Sequence, residues 1–427
     1  MNLIPPSFWA RWARRLTEPG EAEDLLRVDD LRMAPLARRG ELVLDPVLTR
    51  ILASQYEERH ANYAQTISSW ARYTTRPISA GRAAALGAMS ASAFLMDDLV
   101  DGWENTISEL DVSRQLRSQE QLVNALTRNS RPFWPSSVAF IDAVMATRRA
   151  SDLAYALRPS DRWWNDYTRE MASFVYGRSI SCLLLKRRII LTPELYLRTR
   201  ILDVGASMAT TFASLAVGAY PERSRTLIEL WALCWLHLII TNDLYSYYRE
   251  RDESAFNVVH VVQASLSRSS PTSVAQAVDR AVRLCNHLFA RARYLSESLT
   301  LGQDEDSEIV QHVNAVLLTV TGGLEFLHAH GSRYRDPATL PDYGLALHRV
   351  ADAYGQVWWD RASHWEEILS FVEAHQPTAL CIASWRFALG EDGTATEHVT
   401  VTTHRVVESP HLWRPKFNPF TSLNVGQ

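Results

Sequence analysis

Apolar residues recur at intervals of three and four between about Pro46 and Gly331, which is the pattern of helices that bury one face. Short breaks at Pro or Gly separate these runs, and alternating, strand-like runs are scarce there. Two segments are apolar almost all round, Ala80 to Met96 and Leu227 to Tyr248. Helices of this kind are surrounded by other helices. We therefore expect these two to face each other at the centre of an all-α bundle, each ending in an acidic cluster.

The helical pattern divides the chain into three parts. Residues 1–45 form an N-terminal segment, residues 46–335 the helical domain, and residues 336–427 a C-terminal extension of unassigned role. Within the extension, the sequence predicts a helix from about 343 to 374 and a strand in the alternating run TEHVTVTTHRVV. The sequence leaves open whether the extension closes over the site, forms a homodimer contact or is disordered.

Composition narrows the functional classes. Apolar residues make up 47% of the 427 residues and charged residues 22%, as in ordinary globular proteins. The net charge of −4 provides no basic field for nucleic acid or an anionic membrane, so neither is an expected partner, and a polyanionic substrate would need a local cationic site. The N-terminus lacks a signal-peptide core, no stretch of 18 uncharged apolar residues is seen, and the four cysteines lie far apart. We expect a cytoplasmic protein with no stable membrane insertion.

The first acidic cluster lies in the segment FLMDDLVDG and contains Asp97, Asp98 and Asp101. On a helix, Asp97 and Asp101 lie one turn apart on one face, where their carboxylates can share hard divalent cations such as Mg²⁺. An isolated cluster of this kind is more often a solvated helix end. Here it directly follows an apolar helix, where unpaired carboxylates are costly, and this favours a metal site.

The second cluster, NDLYSYYRE, repeats polar residues every four positions at Asn242, Ser246 and Glu250. This spacing places an amide oxygen, a hydroxyl and a carboxylate in one line along a helix, and three such oxygen donors can hold one cation. Read alone, the pattern also fits a polar helix terminus. Its occurrence together with the first cluster favours the metal site.

The two clusters resemble the metal-binding motifs of bacterial and fungal class I terpene synthases. Their aspartate-rich motif is similar to Asp97-Asp98-Leu-Val-Asp101, and their motif Asn-Asp-x-x-Ser-x-x-x-Glu is complete here from Asn242 to Glu250. The resemblance implies an isoprenoid synthase-type helical bundle and three Mg²⁺ ions, with Mn²⁺ as the alternative metal. It makes Asp97 the principal ligand from the first helix, with Asp98 and Asp101 in supporting roles. The remaining ion is then chelated by Asn242, Ser246 and Glu250.

The same resemblance implies a reaction. A linear isoprenyl diphosphate, geranylgeranyl or farnesyl diphosphate, is ionised with Mg²⁺, and the carbocation is cyclised to a terpene hydrocarbon or alcohol with release of diphosphate. Small residues near the first motif, such as Ser90, leave room in the cavity and favour the C20 substrate. Product identity and the capture of water are not predicted.

Two segments resemble the diphosphate-binding residues of the family. HGSRYRD provides Arg333 and Tyr334, which are similar to the family's Arg-Tyr pair, and Arg249 is a further candidate. Arginine grips phosphate oxygens with a planar fork, and tyrosine adds one donor.

The segment YLRTRILDVGA resembles the stretch in which an arginine senses the diphosphate and passes its movement to a helix break. By this resemblance Arg200 is the sensor, which also binds the diphosphate, Asp203 the linker and Val204 the effector, and Gly205 lets the helix deform. Arg198 competes for the sensor role, and either arginine could instead pair with Glu194.

Helical spacing from the two motifs predicts the residues that line a substrate cavity. Counting back from Asp97 gives Phe94 and Ser90, and counting back from Asn242 gives Leu238 and Trp235. Phe326 precedes the Arg-Tyr pair and is a further candidate lining residue. Aromatic faces stabilise a passing cation, although aromatic residues on buried helices more often only fill the core.

Two other functions fit parts of the pattern. A chain-elongating isoprenyl diphosphate synthase shares the helical bundle but uses two aspartate-rich motifs, whereas this chain has one DDxxD. A non-catalytic helical scaffold would not need both metal motifs and the Arg-Tyr pair in this order. A class II cyclase is disfavoured because no DxDD motif is present.

Overall fold

The computed structural model describes most of the helical domain and parts of the termini. The described residues are 4–17, 25–27, 31–32, 45–46, 61–104, 138–186, 191–250, 256–266, 272–330, 384–389 and 395–400. Within these ranges some side chains are not described, including those of residues 98–104 and 248–249. The helix predicted for residues 343–374 lies outside the described residues.

Helices form nearly all of the described secondary structure, which confirms the predicted all-α class. In chain order they are α1 (Pro6–Thr17), α2 (Ala61–Thr74), α3 (Ala80–Glu104), α4 (Val138–Ala156), α5 (Asp161–Lys186), α6 (Pro193–Asp203), α7 (Met208–Val217), α8 (Arg225–Glu250), α9 (Val258–Leu266), α10 (Val274–Thr300) and α11 (Glu308–Ala329).

Two strands in the C-terminal extension form an antiparallel pair. They are β1 (Ser384–Leu389) and β2 (Ala395–Thr400), with Ser384 opposite Thr400 and Leu389 opposite Ala395. The strand predicted from the alternating run TEHVTVTTHRVV is confirmed for its first five residues, because β2 ends at Thr400.

The two apolar segments of the sequence become the long helices α3 and α8, and each organises one half of the core. α3 packs against α2, α4, α5 and α7, whereas α8 packs against α6, α9, α10 and α11. Trp70 and Phe94 contact both halves of the core. The predicted arrangement of two central helices is confirmed, with a cavity between them that both helices line.

Helix α1 of the N-terminal segment packs into the half of the core that surrounds α8. It contacts α6, α9 and α10 through a face on which Phe8, Trp9, Trp12 and Leu16 are all buried. Phe8 and Trp9 meet edge to face at 5.3 Å between ring centroids, a favourable arrangement of aromatic quadrupoles. The helix that carries Arg200 is therefore covered on its outer side by α1.

A glycine allows α11 to approach α2 closely. A Cβ atom built on Gly322 would fall inside contact distance of the Tyr73 carbonyl oxygen, and backbone at that position cannot move aside as a flexible side chain can. The neighbouring Gly323 faces Leu238 and lines the cavity, so this part of α11 borders the site.

A buried histidine links three helices on the far side of the bundle. Trp231 donates from Nε1 to His312 Nε2 at 3.0 Å, so the ring proton lies on Nδ1, which faces the Ser214 hydroxyl at 3.1 Å. The serine in turn donates to the Thr210 carbonyl at 2.7 Å. Burial lowers the pKa of His312 to about 4, so the ring is neutral near pH 7.

The segment Arg225–Tyr247 of α8 is long and apolar enough to cross a membrane by length and composition alone. Of its most apolar window, 83% is buried inside the protein. Here the apolar character is explained by the central position of α8 in the core.

We expect Gly322→Ala to destabilise the protein by roughly 1 to 3 kcal/mol, because the added methyl group would force α11 away from α2. The matched control is Gly81→Ala in α3, where the new Cβ would make an ordinary contact at 3.5 Å with Leu157. Urea denaturation would compare the free energies of unfolding. Equal stabilities for the two variants would contradict the close approach.

Stability should fall as the pH is lowered from about 6.5 to about 4. Burial lowers the pKa of both His237 and His312 from 6.5 to about 4, so the unfolded chain binds more protons across this window. The folded state then loses more than about 1 kcal/mol per histidine relative to the unfolded state. His237→Leu should flatten the dependence of unfolding free energy on pH, whereas replacement of the exposed His328 by Gln should leave it unchanged.

Candidate functional site

A large cavity lies between α3 and α8 and has one polar and one apolar end. Its empty volume is about 1090 Å³, part of which is open to solvent. Four of the residues that were predicted to line a cavity do so: Ser90, Phe94, Leu238 and Phe326. The polar end is formed by Asp97, Arg178, Arg200, Asn242 and Glu250.

Trp235 was also predicted to line the cavity. This residue is buried in the core around α8 and is not among the residues that border the cavity. Leu238, one turn before Asn242, is the first residue of α8 that borders the cavity. Four large side chains that helical counting did not select complete the apolar wall: Trp70, Phe174, Met208 and Phe212.

The first acidic motif lies near the end of α3, which continues as a helix to Glu104. Asp97 lines the cavity with its side chain 33% exposed, and its Oδ1 is 3.4 Å from Nε of Arg178. The side chains of Asp98 and Asp101 lie outside the described residues. The structure thus places the principal predicted ligand at the cavity and leaves its two supporting residues as predictions.

The second motif lies on the last turns of α8. Asn242 and Glu250 both line the cavity, two turns apart on the same helix. Ser246, between them, is buried, and its hydroxyl faces the Asp243 carbonyl of its own helix at 3.4 Å. The structure therefore brings Asn242 and Glu250 to the polar end, and Ser246 is not among the residues that border the cavity.

Asp243 is a buried carboxylate that the sequence reading assigned no role. Its Oδ1 is 2.8 Å from Arg200, and its Oδ2 accepts from the Tyr196 hydroxyl and, at 3.0 Å, from the Val258 amide. Burial raises the pKa of this carboxyl, and the charge of Glu250 raises it further. Arg200 and the two donors to Oδ2 favour the charged form and hold the side chain in place.

Asn257 supports the second motif from the start of α9. Its amide donates to the Asp243 carbonyl at 2.9 Å and to Glu250 Oε2 at 3.2 Å, while its own oxygen accepts from the Val259 amide at 3.0 Å. A carboxylate that is oriented in this way is prepared for a ligand because its rotamer is already selected.

The helix break predicted at YLRTRILDVGA is present. α6 ends at Asp203, Val204 is its C-cap, and Gly205 adopts a φ of 64° before α7 begins at Met208. A positive φ favours glycine at this position. Gly177 of α5 packs directly on the break, and a Cβ atom there would fall inside contact distance of the Asp203 backbone. Asp203 and Val204 thus occupy the positions that the resemblance gave them.

Arg200 and Arg198, the two candidates for the sensor position, lie in different surroundings. Arg200 lines the cavity, pairs with Asp203 and donates to Asn242 Oδ1 at 3.3 Å. Arg198 pairs instead with Glu194 at 2.8 Å, and its guanidinium lies 5.7 Å from the ring centroid of Trp9. Of the two, only Arg200 can meet a ligand in the cavity.

Arg178 of α5 is a site residue that sequence reasoning missed. Its side chain is 8% exposed, lines the cavity and contacts two carboxylates, Asp97 at 3.4 Å and Asp203 at 2.9 Å. The Ser181 hydroxyl donates to the same Asp203 oxygen. Nothing in the sequence around GRSIS distinguishes this arginine, because its partners lie 81 positions before it and 25 after it.

Three residues that were predicted to bind the diphosphate have side chains outside the described part of the structure. Arg333 and Tyr334 lie beyond residue 330, and the side chain of Arg249 is not described although α8 includes it. The described end of α11 brings Phe326 to the cavity. The Arg-Tyr pair therefore remains a prediction from sequence.

Charge and donor type at the polar end suit divalent cations. Asp97 and Glu250 border the cavity there beside Arg178 and Arg200, and Asp203 and Asp243 pair with the arginines from behind, so carboxyl groups outnumber guanidinium groups among these side chains. Within the described part of the chain, no three His, Cys, Asp or Glu side chains form a cluster that could hold a metal. The second motif, however, relies on an amide and a hydroxyl beside one carboxylate, all oxygen donors of the kind that Mg²⁺ prefers.

A family comparison agrees with this geometry. The family model described as "Terpene synthase family 2, C-terminal metal binding" matches residues 89–291, a range that includes both motifs and the helix break. No curated protein sequence matches the chain at a significant level.

Solved bacterial structures share the fold. Linalool/nerolidol synthase from Streptomyces clavuligerus, in complex with 2-fluorogeranyl diphosphate, is 17% identical, with a TM-score of 0.52 over 76% of this chain and 98% of that chain. Germacradien-4-ol synthase from Streptomyces citricolor is 16% identical, with a TM-score of 0.53 over 69% and 99%. The 2-methylisoborneol synthase from Streptomyces coelicolor A3(2), in complex with Mg²⁺ and 2-fluoroneryl diphosphate, is 17% identical, with a TM-score of 0.51 over 74% and 99%.

The resemblance stated from the two acidic motifs is thereby confirmed. Residues 89–291 match the family model of the terpene synthase family 2 metal-binding domain, and the helical fold is that of solved class I terpene synthases.

Proposed function

We propose that this protein is a terpene cyclase that ionises a linear isoprenyl diphosphate with Mg²⁺ and cyclises the carbocation. The observation that carries the proposal is the layout of a single cavity. Asp97 from one motif, Asn242 and Glu250 from the other, and two arginines line its polar end, while aromatic side chains line the rest. A diphosphate needs the first environment, and a reactive hydrocarbon cation needs the second.

The polar end would bind and ionise the diphosphate. Asp97, with Asp98 and Asp101, would hold metal from α3, and Asn242, Ser246 and Glu250 would hold metal from α8. Bound Mg²⁺ supplies positive charge that stabilises the leaving diphosphate as the C–O bond breaks. This use of Mg²⁺ is supported by the oxygen donors at the cavity and by the solved structure of 2-methylisoborneol synthase, which contains that metal.

Arg200 would be the sensor of the diphosphate. It already lies at the cavity, and it pairs with Asp203, the last residue of α6. Movement of the guanidinium toward the diphosphate would therefore pull on the helix break, where Val204 borders the cavity. Arg249, Arg333 and Tyr334 would add further donors, as the family resemblance implies.

The apolar end would fold the chain and shield the cation. Phe94 and Phe326 lie 6.0 Å apart between ring centroids, and Trp70 and Phe212 lie 5.7 Å apart. Aromatic faces stabilise a nearby positive charge without acting as nucleophiles, and a wall without water prevents premature capture. The small side chain of Ser90 and the absent one of Gly323 leave room, which supports the C20 substrate over the C15.

Product formation tests the proposal directly. Purified protein with Mg²⁺ should convert one of geranyl, farnesyl, geranylgeranyl or geranylfarnesyl diphosphate into a cyclic hydrocarbon or alcohol, detected by gas chromatography with mass detection. Asp97→Ala and Asn242→Ala should each lower the rate by about 100-fold or more, because each removes a group that acts on the transition-state charge. Removal of the metal with a chelator should abolish the product.

Exposed residues of the same types provide the controls for that assay. Asp304→Ala and Asn165→Ala change residues on the surface and should retain the wild-type rate. A longer linear diphosphate as the product would replace the cyclase by a chain-elongating synthase. No conversion of any substrate by folded protein with Mg²⁺ present would favour a non-catalytic scaffold.

The sensor assignment is tested by a matched pair of substitutions. Arg200→Lys should lower the turnover number by about tenfold or more, because an ammonium group cannot bridge Asp203 and Asp243 as the guanidinium fork does. Arg198→Lys, which affects an ion pair outside the cavity on the same helix, should leave turnover near wild type. The reverse result would transfer the sensor role to Arg198.

A further inference from the structure

Arg178 joins the first metal motif to the helix break through one guanidinium group. Its Nε lies 3.4 Å from Asp97 of α3, and its Nη1 lies 2.9 Å from Asp203 at the end of α6. Asp203 also pairs with Arg200, and Arg200 pairs with Asp243 of α8. Charges thus alternate without interruption from one metal motif to the other, and Arg178 is the link that begins at Asp97.

Burial makes this link energetically important. The Arg178 side chain is 8% exposed and that of Asp203 is fully buried, so neither charge can rely on water for its stabilisation. Removing one partner of a buried pair leaves an uncompensated charge, which is far more costly than loss of a surface pair. The position of Arg178 therefore depends on how strongly Asp97 and Asp203 each hold it.

The two carboxylates that contact Arg178 differ in their exposure to the cavity. Asp97 is one-third exposed at the cavity and is the residue from which a divalent cation would be bound, whereas Asp203 is enclosed by protein. A cation on Asp97 would compete for the carboxylate and repel the guanidinium at short range. Asp203 would then remain as an anionic partner of Arg178.

Asp203 is also the point where two arginines compete. Its Oδ1 accepts from Arg178 and Ser181, and its Oδ2 accepts from Arg200. A closer contact with Arg178 would neutralise more of its charge and weaken its hold on Arg200. Arg200 lines the cavity and would become easier to draw toward an anion there.

We propose that Arg178 is a positioning residue that couples metal binding at Asp97 to the helix break at residues 203–205. Without metal, it shares its charge between Asp97 and Asp203 and keeps Arg200 bound to Asp203. With metal on Asp97, it moves onto Asp203 and loosens the Arg200–Asp203 pair, so that Arg200 can move toward the diphosphate while that pair still links it to the helix break. This inference rests on the proposed function, and it adds an order of events in which the metal prepares the sensor before ionisation.

Hydrogen–deuterium exchange of the full chain tests the coupling without measuring turnover. We expect Mg²⁺ with inorganic diphosphate to change amide exchange in peptides that cover residues 201–209 by about fivefold or more in the wild type. Arg178→Gln should reduce that response to less than about twofold. It should still show protection of residues 242–250, since the ligands on α8 are intact. Arg198→Gln, which breaks an ion pair on α6 outside the cavity, should respond as the wild type does.

A double-mutant cycle of Asp97 and Arg178, measured by hydrogen–deuterium exchange without metal, provides a second test of the coupling. Asp97→Asn removes the charge that competes for Arg178, so it should shift exchange at residues 201–209 in the absence of metal. The same substitution in an Arg178→Gln background should produce no further shift, because the two residues act through one contact. If Arg178→Gln does not fold, Arg178→Lys carries the test, since the compact ammonium group lacks the planar fork whose separate nitrogens reach Asp97 and Asp203.

The outcomes separate the two proposals. If the wild type forms a terpene and protects residues 242–250, but Arg178→Gln retains the full response at 201–209, the positioning role is overturned and the cyclase function stands. Independent effects of Asp97→Asn and Arg178→Gln at the break would overturn it as well. If Mg²⁺ and diphosphate produce no response anywhere in the wild type, the proposed function itself fails, and this inference fails with it.

Discussion

A single buried carboxylate, Asp243, organises the polar end of the cavity. A carboxyl group without solvent contact is costly unless its oxygens are paired, and those of Asp243 are held by Arg200, Tyr196 and the amide of Val258. These partners come from α6 and from the start of α9, so three helices are tied together at one point. Because Asp243 follows Asn242 directly, its position also sets the rotation of the last turns of α8. The cavity-facing directions of the metal-motif residues therefore depend on a residue that does not itself face the cavity.

In the same region, carboxyl groups outnumber the arginines that pair with them. These ion pairs link the stability of the protein to ligand binding. Arg178 and Arg200 pair with three carboxylates, those of Asp97, Asp203 and Asp243, and each arginine is shared between partners on different helices. In such an arrangement a new cation cannot be added without a change in the existing pairs. The carboxylates around the cavity are stabilised because they share Arg178 and Arg200. A bound divalent metal would alter these ion pairs. An apolar replacement of these groups could be more stable, but it would bind neither metal nor diphosphate.

The break between α6 and α7 is connected to these ion pairs through Asp203. Between α6 and α7 the chain leaves helical geometry at Gly205, and Gly177 permits α5 to lie directly against the break. Side chains on both sides of the break, from Arg200 to Ala209, contribute to the cavity wall. A small shift of the backbone here would therefore change both the position of Arg200 and the shape of the apolar end. The close contact with α5 explains how Arg178 reaches Asp203 at all.

Local sequence alone determined the helical class, the two central helices and the motifs at their ends, because helical periodicity reports which face of a segment is buried and which oxygens share that face. The family resemblance, and not periodicity, placed Asp203, Val204 and Gly205 at the break. Neither identified Arg178, Phe174 or the role of Asp243, and helical counting selected Trp235, which is not among the residues that border the cavity. Periodicity indicates that a side chain is buried without indicating what it is buried against. Only the packing of α5, α6 and α8 decided that, since contacts between residues far apart in the chain arise when helices meet at a particular height and rotation.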